Sequence, residues 1–425
     1  MKVAIIGGGV GGAAAALRLR QAGQEVSLYE ASPQLGGLLA SLQVGGEYLE
    51  RYYHHVFPHE DRIQSLVGEL GLELEWLPAA MGVYRGGRVW PFDGPRDLLE
   101  FKPISLPSRV RLGVASQLLL RQRHVARHDD MPAFEWLEKA SGRQATETIW
   151  KPLLRGKFGP AAPDVPAGWM LGRLKQRDGA RKAGKGELLG YMPGGFHRLF
   201  GALEERLDRE GADVRVDTRV ESIDVEDGRV TGVTVAGTHE PADSVLFAGT
   251  LPVLRRLMET DIGSDHEGLG VVCMVLELER QASPVYWLNV CDDDVPFGGV
   301  IEQTNFVPPE RYGGRHVVYL SRYYTQEEEV AQGAADDLIP EWLEALGRVA
   351  PGFAGQAPLA VHVFRAPYAA PLVGLGYAQG IPPVIPGDPE GLALATTAQI
   401  YPEDRGMDNG VKLAERSVRE LLRRG

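Results

Sequence analysis

Hydrophobic and polar positions along this chain follow two periods, and the first thirty residues show both. Val3-Ala4-Ile5-Ile6 is a continuous apolar run of strand length, as expected for a strand buried on both faces. Residues 13–20 repeat at helical spacing and are rich in Ala and Leu. Glu25-Val26-Ser27-Leu28-Tyr29 reads as a second strand, and Glu30 ends it. Between the first strand and the helix lies Gly7-Gly8-Gly9-Val10-Gly11-Gly12. The pattern predicts a complete βαβ unit with a glycine turn.

The same reading extends down the chain. Residues 44–48 and 83–90 read as hairpins with glycine turns. Ile63, Leu66, Val67 and Leu70 fall on one face of a helix over 61–72. Helices are expected over 134–140, over 163–175 and from about 197 to 209. Residues 176–187 are polar, without period, and read as a mobile loop. Strands are expected at 212–216 and 243–248, with 219–225 and 229–235 paired around Asp227-Gly228. Residues 270–325 are β-rich, and a helix over 334–349, strands at 359–364 and 391–396, and a last helix ending at Leu422 follow.

The spacing of Gly7, Gly9 and Gly12 is chemically informative. Gly7 permits the tight turn, Gly9 lets a pyrophosphate approach the backbone, and Gly12 lets the helix pack on the strand. The helix start, from Val10 and Gly11 on, offers free N–H groups and the positive dipole end to phosphate. Glu30 stands 18 residues beyond Gly12, where a carboxylate binds both ribose hydroxyls and repels a 2′-phosphate. FAD or NAD is therefore favoured over NADP.

Glu30-Ala31 is followed by a glycine pair, Gly36-Gly37, then Leu38. This stretch resembles the N-terminal FAD motif of the flavin amine oxidase superfamily, which includes protoporphyrinogen oxidase, phytoene desaturase and, more distantly, UDP-galactopyranose mutase. Many members carry Arg after the glycine pair; Leu38 departs from that pattern, so a contact made by that Arg is lost or supplied from elsewhere. Near the other end, Tyr401-Pro402-Glu403-Asp404-Arg405-Gly406-Met407-Asp408-Asn409-Gly410-Val411 opens the last helix. It resembles the superfamily's C-terminal FAD motif, in which the helix start faces the flavin O2 and ribitol. The resemblance implies FAD as cofactor, with Asp404, Gly406, Asn409, Gly410 and Val411 at it, Gly249 beside it, and the Val220 backbone at the adenine. Two motifs at opposite ends argue for FAD rather than NAD.

The resulting fold is α/β: a Rossmann-type FAD-binding domain interleaved with a mixed α+β substrate-binding domain. Residues 1–79, 191–264 and 371–425 are assigned to the first. Residues 80–190, helical, and 265–370, a sheet, are assigned to the second.

Composition narrows the setting. A net charge of −12 argues against a nucleic-acid partner. Two cysteines give no disulfide framework and no zinc spacing, and a reducing cytoplasm is the expected home. The chain opens on a core strand, so no secretory leader is expected. Residues 98–127 are basic within this acidic protein, with Arg109, Arg111, Arg121 and Arg123 among apolar residues. Two readings stand: a solvated helix face beside a core stripe, or a peripheral membrane contact through 106–123 with Leu112 and Leu119 on an apolar surface or tunnel mouth. Nothing in the sequence sets an oligomeric state.

Tyr52-Tyr53-His54-His55-Val56-Phe57-Pro58-His59 is the densest polar and aromatic cluster. Either it is a solvated surface loop or it forms one wall of the active site beside the flavin. A metal site is not expected. A similar His-containing stretch lies near the isoalloxazine in UDP-galactopyranose mutases, which supports His54 or His55 without choosing between them. His54, His55, Tyr191 and Arg365 are the expected catalytic residues; Arg322-Tyr323-Tyr324 and Tyr368 are further substrate contacts. The resemblance implies an FAD-dependent oxidoreductase passing a hydride from an apolar or cyclic small molecule to flavin N5. Its alternatives are a non-redox flavoenzyme of the mutase type, acting on a nucleotide sugar, and a flavin-binding protein without catalysis.

Overall fold

Five parallel strands carry the glycine turn. In the computed structural model, which describes residues 1–122, 125–179 and 187–424, their order is Leu392–Leu394, Ser244–Phe247, Lys2–Ile6, Glu25–Tyr29 and Asp213–Arg215. Ile5 stands opposite Leu28 on one side and Leu246 on the other. Val3, Ile5, Val26 and Leu246 are fully buried, which is why these strands read as continuous apolar runs. Helix Val10–Gln21 covers one face through Ala13 to Leu17 and Leu19, all buried. The C-terminal helix Met407–Arg424 packs directly against it. Asp408 ties this helix to Asp61–Glu69: its buried carboxylate accepts the Arg62 and Ile63 N–H groups at 2.7 and 3.0 Å, satisfying orphan donors of that helix start.

The second sheet has seven strands, in the order Ala360–Pro371, Gly268–Leu278, His316–Tyr324, Gly299–Glu302, Trp287–Val290, Met81–Tyr84 and Val89–Pro91. Gly268–Leu278 is buried along its whole length between two antiparallel neighbours. Helices Leu106–Leu120, Ala133–Ser141, Lys151–Phe158 and Ala167–Asp178 form a layer beside it. A three-stranded sheet, Val220–Glu226, Arg229–Val235 and Thr238–Pro241, turns at Asp227 and Gly228, whose φ of 50° and 75° suit a two-residue hairpin.

Several expectations need correction. Residues 80–190 are not wholly helical: Met81–Tyr84 and Val89–Pro91 form the hairpin expected at 83–90, and they extend the substrate-side sheet. Met81–Tyr84 is buried throughout and too short to show a period. Strands Glu75–Pro78 and Leu188–Tyr191 pair with each other and were not foreseen. The helix expected from 334 begins at Ile339, after a 3₁₀ turn, with a proline in its first turn where no N–H is needed. Helix Ala167–Asp178 takes in the start of the expected 176–187 loop, and residues 180–186 lie outside those described. Leu112 and Leu119 face inward and are buried; the exposed apolar positions on their helix are Leu106, Val110, Val114 and Leu118. Among the described residues, no helix is long and apolar enough to cross a membrane.

Candidate active site

The glycine turn sits at the carboxyl end of the central strand, where open α/β sheets bind ligands. Gly7 has φ 106°, a backbone that favours glycine. A Cβ on Gly12 would lie 1.8 Å from the Gly7 carbonyl oxygen, so only glycine lets the helix approach the turn this closely. A Cβ on Gly9 would meet nothing within 4 Å, although Gly9 lines the cavity. That empty cradle is where a pyrophosphate fits. Gly9 is also the N-cap of its helix; no side chain caps that helix, and no acid stands in its first turn. Its first N–H groups are left for an anion.

The opposite end of the chain completes the cradle. A Cβ on Gly11 would come within 3.5 Å of the Gly410 carbonyl oxygen, and one on Gly410 within 3.0 Å of Val10 Cγ1. The two helix starts, some 400 positions apart in sequence, abut. Glu30 lines the same cavity, with its carboxylate already accepting the Gly8 and Ser32 N–H groups at 2.7 and 2.8 Å, which fixes its orientation.

From this cradle one cavity of about 1030 Å³ runs to the inner face of helix Leu106–Leu120. Single-ligand sites span roughly 300–1,000 Å³, so this cavity stands at the top of that range, large enough for an extended dinucleotide. Tyr52, Tyr53, His54, His55, Trp287 and Tyr323 line its middle. Tyr53 meets Trp287 edge to face at 4.8 Å, and its hydroxyl lies 3.1 Å from Ser321 Oγ. Both histidines are neutral at pH 7. Burial lowers His54 to about 4, against the opposing hydrogen bond to the Tyr52 carbonyl. Because a carbonyl only accepts, His54 Nδ1 at 2.6 Å carries the proton and Nε2 keeps a lone pair. Burial pushes His55 well down as well, helped by the fields of Arg177 and Arg173. Its Nδ1 is buried without a protein partner.

Five further charged groups reach the cavity from three parts of the chain: Lys157 from one helix, Arg173 and Arg177 from another, and Asp404 and Arg405 from the segment before the last helix. Lys157 donates to Asp404 Oδ2 at 2.6 Å, and Arg173 Nη1 lies 3.8 Å from the same oxygen. Arg405 donates from Nη2 to the Tyr323 hydroxyl at 3.0 Å and from Nε to the Ala369 carbonyl. Burial lowers Lys157 to about 8, with Asp404 opposing and Arg405 and Arg173 adding to the fall. Asp404 is held well below the usual carboxylate range: the charges of Lys157, Arg173 and Arg405 outweigh its burial. Arg177 is tied to Glu187 at 3.8 Å and stacks 5.4 Å from the Trp287 ring centre.

The structure brings Gly7, Gly9, Val10, Gly11, Glu30, Gly36, Gly37, Leu38, Gly249, Asp404, Gly406 and Gly410 to the cavity wall, together with His54, His55, Tyr323 and Tyr368. Gly12, Asn409 and Val411 stand behind it; Asn409 donates to the Asp404 carbonyl at 3.2 Å and Val411 is core. Ala31 is exposed, and Val220 is buried among the 220–235 strands and the Leu251–Leu257 helix. Tyr191 and Arg365 fall outside the wall. The Tyr191 hydroxyl is buried on Glu50 at 2.9 Å, and Arg365 donates to the Gly333 carbonyl at 2.5 Å. Arg322 is engaged by Glu328 at 2.8 Å, and Tyr324 packs in the substrate-side core. Lys157, Arg173, Arg177, Trp287 and Asn289 line the site without having been foreseen. The one sequence clue was the placement of Arg405 beside the C-terminal glycines.

Comparison with known proteins agrees with this geometry. The 15-cis-phytoene desaturase of Arabidopsis thaliana is 24% identical over 281 residues, 61% of this chain and 49% of that protein, so the chain spans about half the length of that relative. A crystal structure of reduced UDP-galactopyranose mutase superposes with a TM-score of 0.79 at 16% identity, over 99% of this chain and 95% of that one. Cyclohexylamine oxidase from Brevibacterium oxydans IH-35A gives 0.76 at 15% identity, over 99% and 98%. These likenesses establish the fold, a mixed α/β architecture with a parallel sheet. The family model described as flavin containing amine oxidoreductase matches residues 10–398. With both halves of the dinucleotide cradle in place, the chain belongs to the flavin containing amine oxidoreductase family, and its cofactor is FAD.

Proposed function

We propose that this protein is an FAD-dependent oxidoreductase that oxidises a largely apolar organic molecule held in the cavity against the flavin. The observation that carries this is the continuity of one cavity from the dinucleotide cradle to a wall of Leu98, Leu112, Leu120, Leu153, Leu154 and Met170. Bound FAD supplies a two-electron acceptor. The chain's own residues do the rest. The apolar wall excludes water and orients the substrate. The tyrosines and Trp287 set its plane. Neutral His54, through its free Nε2, is placed to take a proton from the substrate. Turnover needs an external electron acceptor, oxygen or a carrier.

A second use of the same site, in the manner of a UDP-galactopyranose mutase acting on a nucleotide sugar, is favoured by one feature, the buried cations beside Asp404. Anaerobic mixing of the yellow protein with candidate substrates separates the two. Bleaching of the flavin band supports oxidation. Sugar conversion that occurs only after chemical reduction supports the second use and overturns the first. Neither result would point to flavin binding without catalysis.

The partner surface we assign is lipid. Leu106, Val110, Val114 and Leu118 repeat every four residues, each more than half exposed; Arg121 stands exposed at the end of the stripe, and Arg111 at its edge donates to the carbonyls of Ala140 and Lys139. An apolar stripe edged by arginines on an acidic protein suits an anionic bilayer surface.

A further inference from the structure

The cavity is apolar along much of its wall, yet its floor is charged. Lys157, Arg173 and Arg405 all line it, and among the described residues Asp404 is the one carboxylate within ion-pair distance of Lys157 or Arg173. Three cations thus share one anion. The other basic groups nearby do not alter the balance: Arg177 has Glu187, and both histidines are neutral. Of the other carboxylates on the wall, Glu30 accepts the Gly8 and Ser32 N–H groups, Glu60 accepts the Phe57 N–H at 2.7 Å and is raised to about 7 by burial, and Asp178 is exposed at the end of its helix. Burying unmatched charge is costly, and such clusters persist where a ligand supplies the missing counter-charge.

The surroundings define the rest of the ligand. Lys157 sits among Trp169, Tyr323 and Phe158, with its Nζ 4.8, 5.5 and 5.7 Å from their ring centres. From there the wall turns apolar through Leu153, Leu154, Met170 and Leu174 to Leu112, Gly113 and Leu120 on the inner face of helix Leu106–Leu120. The outer face of that helix is the exposed apolar stripe. Charge therefore lies at the inner end, beside the segment that enters the flavin helix, and grease lies at the outer end.

We infer that the substrate is an anionic amphiphile: its carboxylate or phosphate is held by Lys157, Arg173 and Arg405, and its hydrocarbon body lies along the inner face of helix Leu106–Leu120. This rests on the cavity being the substrate site of a flavin oxidoreductase, and it adds orientation. The head lies beside Asp404 and Arg405, at the segment that enters the last helix, and the tail lies along the inner face of helix Leu106–Leu120. The reacting carbon is then close to the anionic group rather than in the middle of the tail. Lysine and arginine pair with either acid, so both are tested.

The experiment titrates the oxidised holoenzyme with dodecyl phosphate, dodecanoate, dodecanol and inorganic phosphate while following the flavin absorption band. Dodecyl phosphate or dodecanoate should perturb the band at least tenfold more tightly than dodecanol, and inorganic phosphate should bind far more weakly than the alkyl anion. In Arg173→Gln, and independently in Lys157→Met, that preference should shrink at least tenfold, with FAD content and dodecanol binding retained. Whichever anion binds tighter identifies the head group. Equal affinity for dodecanol and both anions in the parent protein overturns the inference, as does an unchanged preference in both variants. If instead the variants only lower the flavin midpoint potential, the cations answer the negative charge of reduced FAD, and the inference is wrong. Anaerobic bleaching by a neutral apolar compound, with no head-group preference, would remove the anion site and leave the oxidoreductase proposal standing.

Discussion

Replacing Gly9 by Val separates cofactor binding from folding. Gly9 has φ −69° and ψ 179°, extended backbone that valine adopts readily. Its missing Cβ points into space with no atom within 4 Å, so the added Cβ meets no protein and the apoprotein should melt as the parent apoprotein does. They occupy the volume that the pyrophosphate needs. Pushing the phosphates away forfeits one or two charge-assisted hydrogen bonds from the helix start, each worth about 1.5–3 kcal/mol. The loss is therefore on the order of 2–6 kcal/mol, or roughly 30-fold to 10⁴-fold in FAD affinity. The assay is the flavin content of purified protein, from the ratio of flavin to protein absorbance, followed by titration of the apoprotein with FAD. The variant should be colourless, folded and poor at rebinding. A yellow variant with one FAD per chain would refute the cradle. An apoprotein that fails to fold would show that Gly9 serves the fold instead.

Three other outcomes follow. Gly12→Ala puts a methyl 1.8 Å from the Gly7 carbonyl, so this variant should lose stability by about 1–3 kcal/mol or more even without cofactor, read by denaturant melts; an unchanged midpoint would mean that the helix and turn are not in contact. Burial raises Glu50 from 4.5 to about 7, so the folded chain holds a proton that the unfolded chain has released, and this group's contribution to stability falls as pH rises from about 4.5 to 7. Glu50→Gln should flatten that decline by on the order of 3 kcal/mol, with its amide oxygen accepting from the Phe196 N–H and its amide N–H donating to the Tyr191 hydroxyl oxygen; a parallel pH profile for the two proteins would count against it. Val114→Glu with Leu118→Glu should leave melting and FAD content alone and abolish flotation with anionic vesicles; retained flotation would place the lipid contact elsewhere.

What could be read from the sequence was what is contiguous in it. The glycine turn, Glu30 and the Gly36-Gly37 pair fall in one short stretch; spacing reveals the first two, and the family resemblance the third. The pairing of Gly11 with Gly410 is a long-range contact, but each partner announces itself as a glycine-bearing helix start. The cationic floor does not. Lys157, Arg173, Arg405 and Tyr323 come from four elements, and each alone reads as a solvated charge or a strand residue. Tyr191 misled because it precedes Pro193-Gly194-Gly195; its hydroxyl is spent on buried Glu50. Leu112 and Leu119 misled because their helix is apolar on both faces, one lining the cavity and packing in the core, the other bare. Periodicity cannot tell which side faces water when neither side is polar.

The most direct measurement is diffraction from crystals of the yellow protein with its flavin in place. One FAD should lie extended, its pyrophosphate within about 3 Å of backbone N–H groups at Val10 to Gly12, and its isoalloxazine between the start of helix Met407–Arg424 and the wall of His54, His55 and Tyr323. Density for the flavin elsewhere, or a cradle filled by a different molecule, would contradict the account.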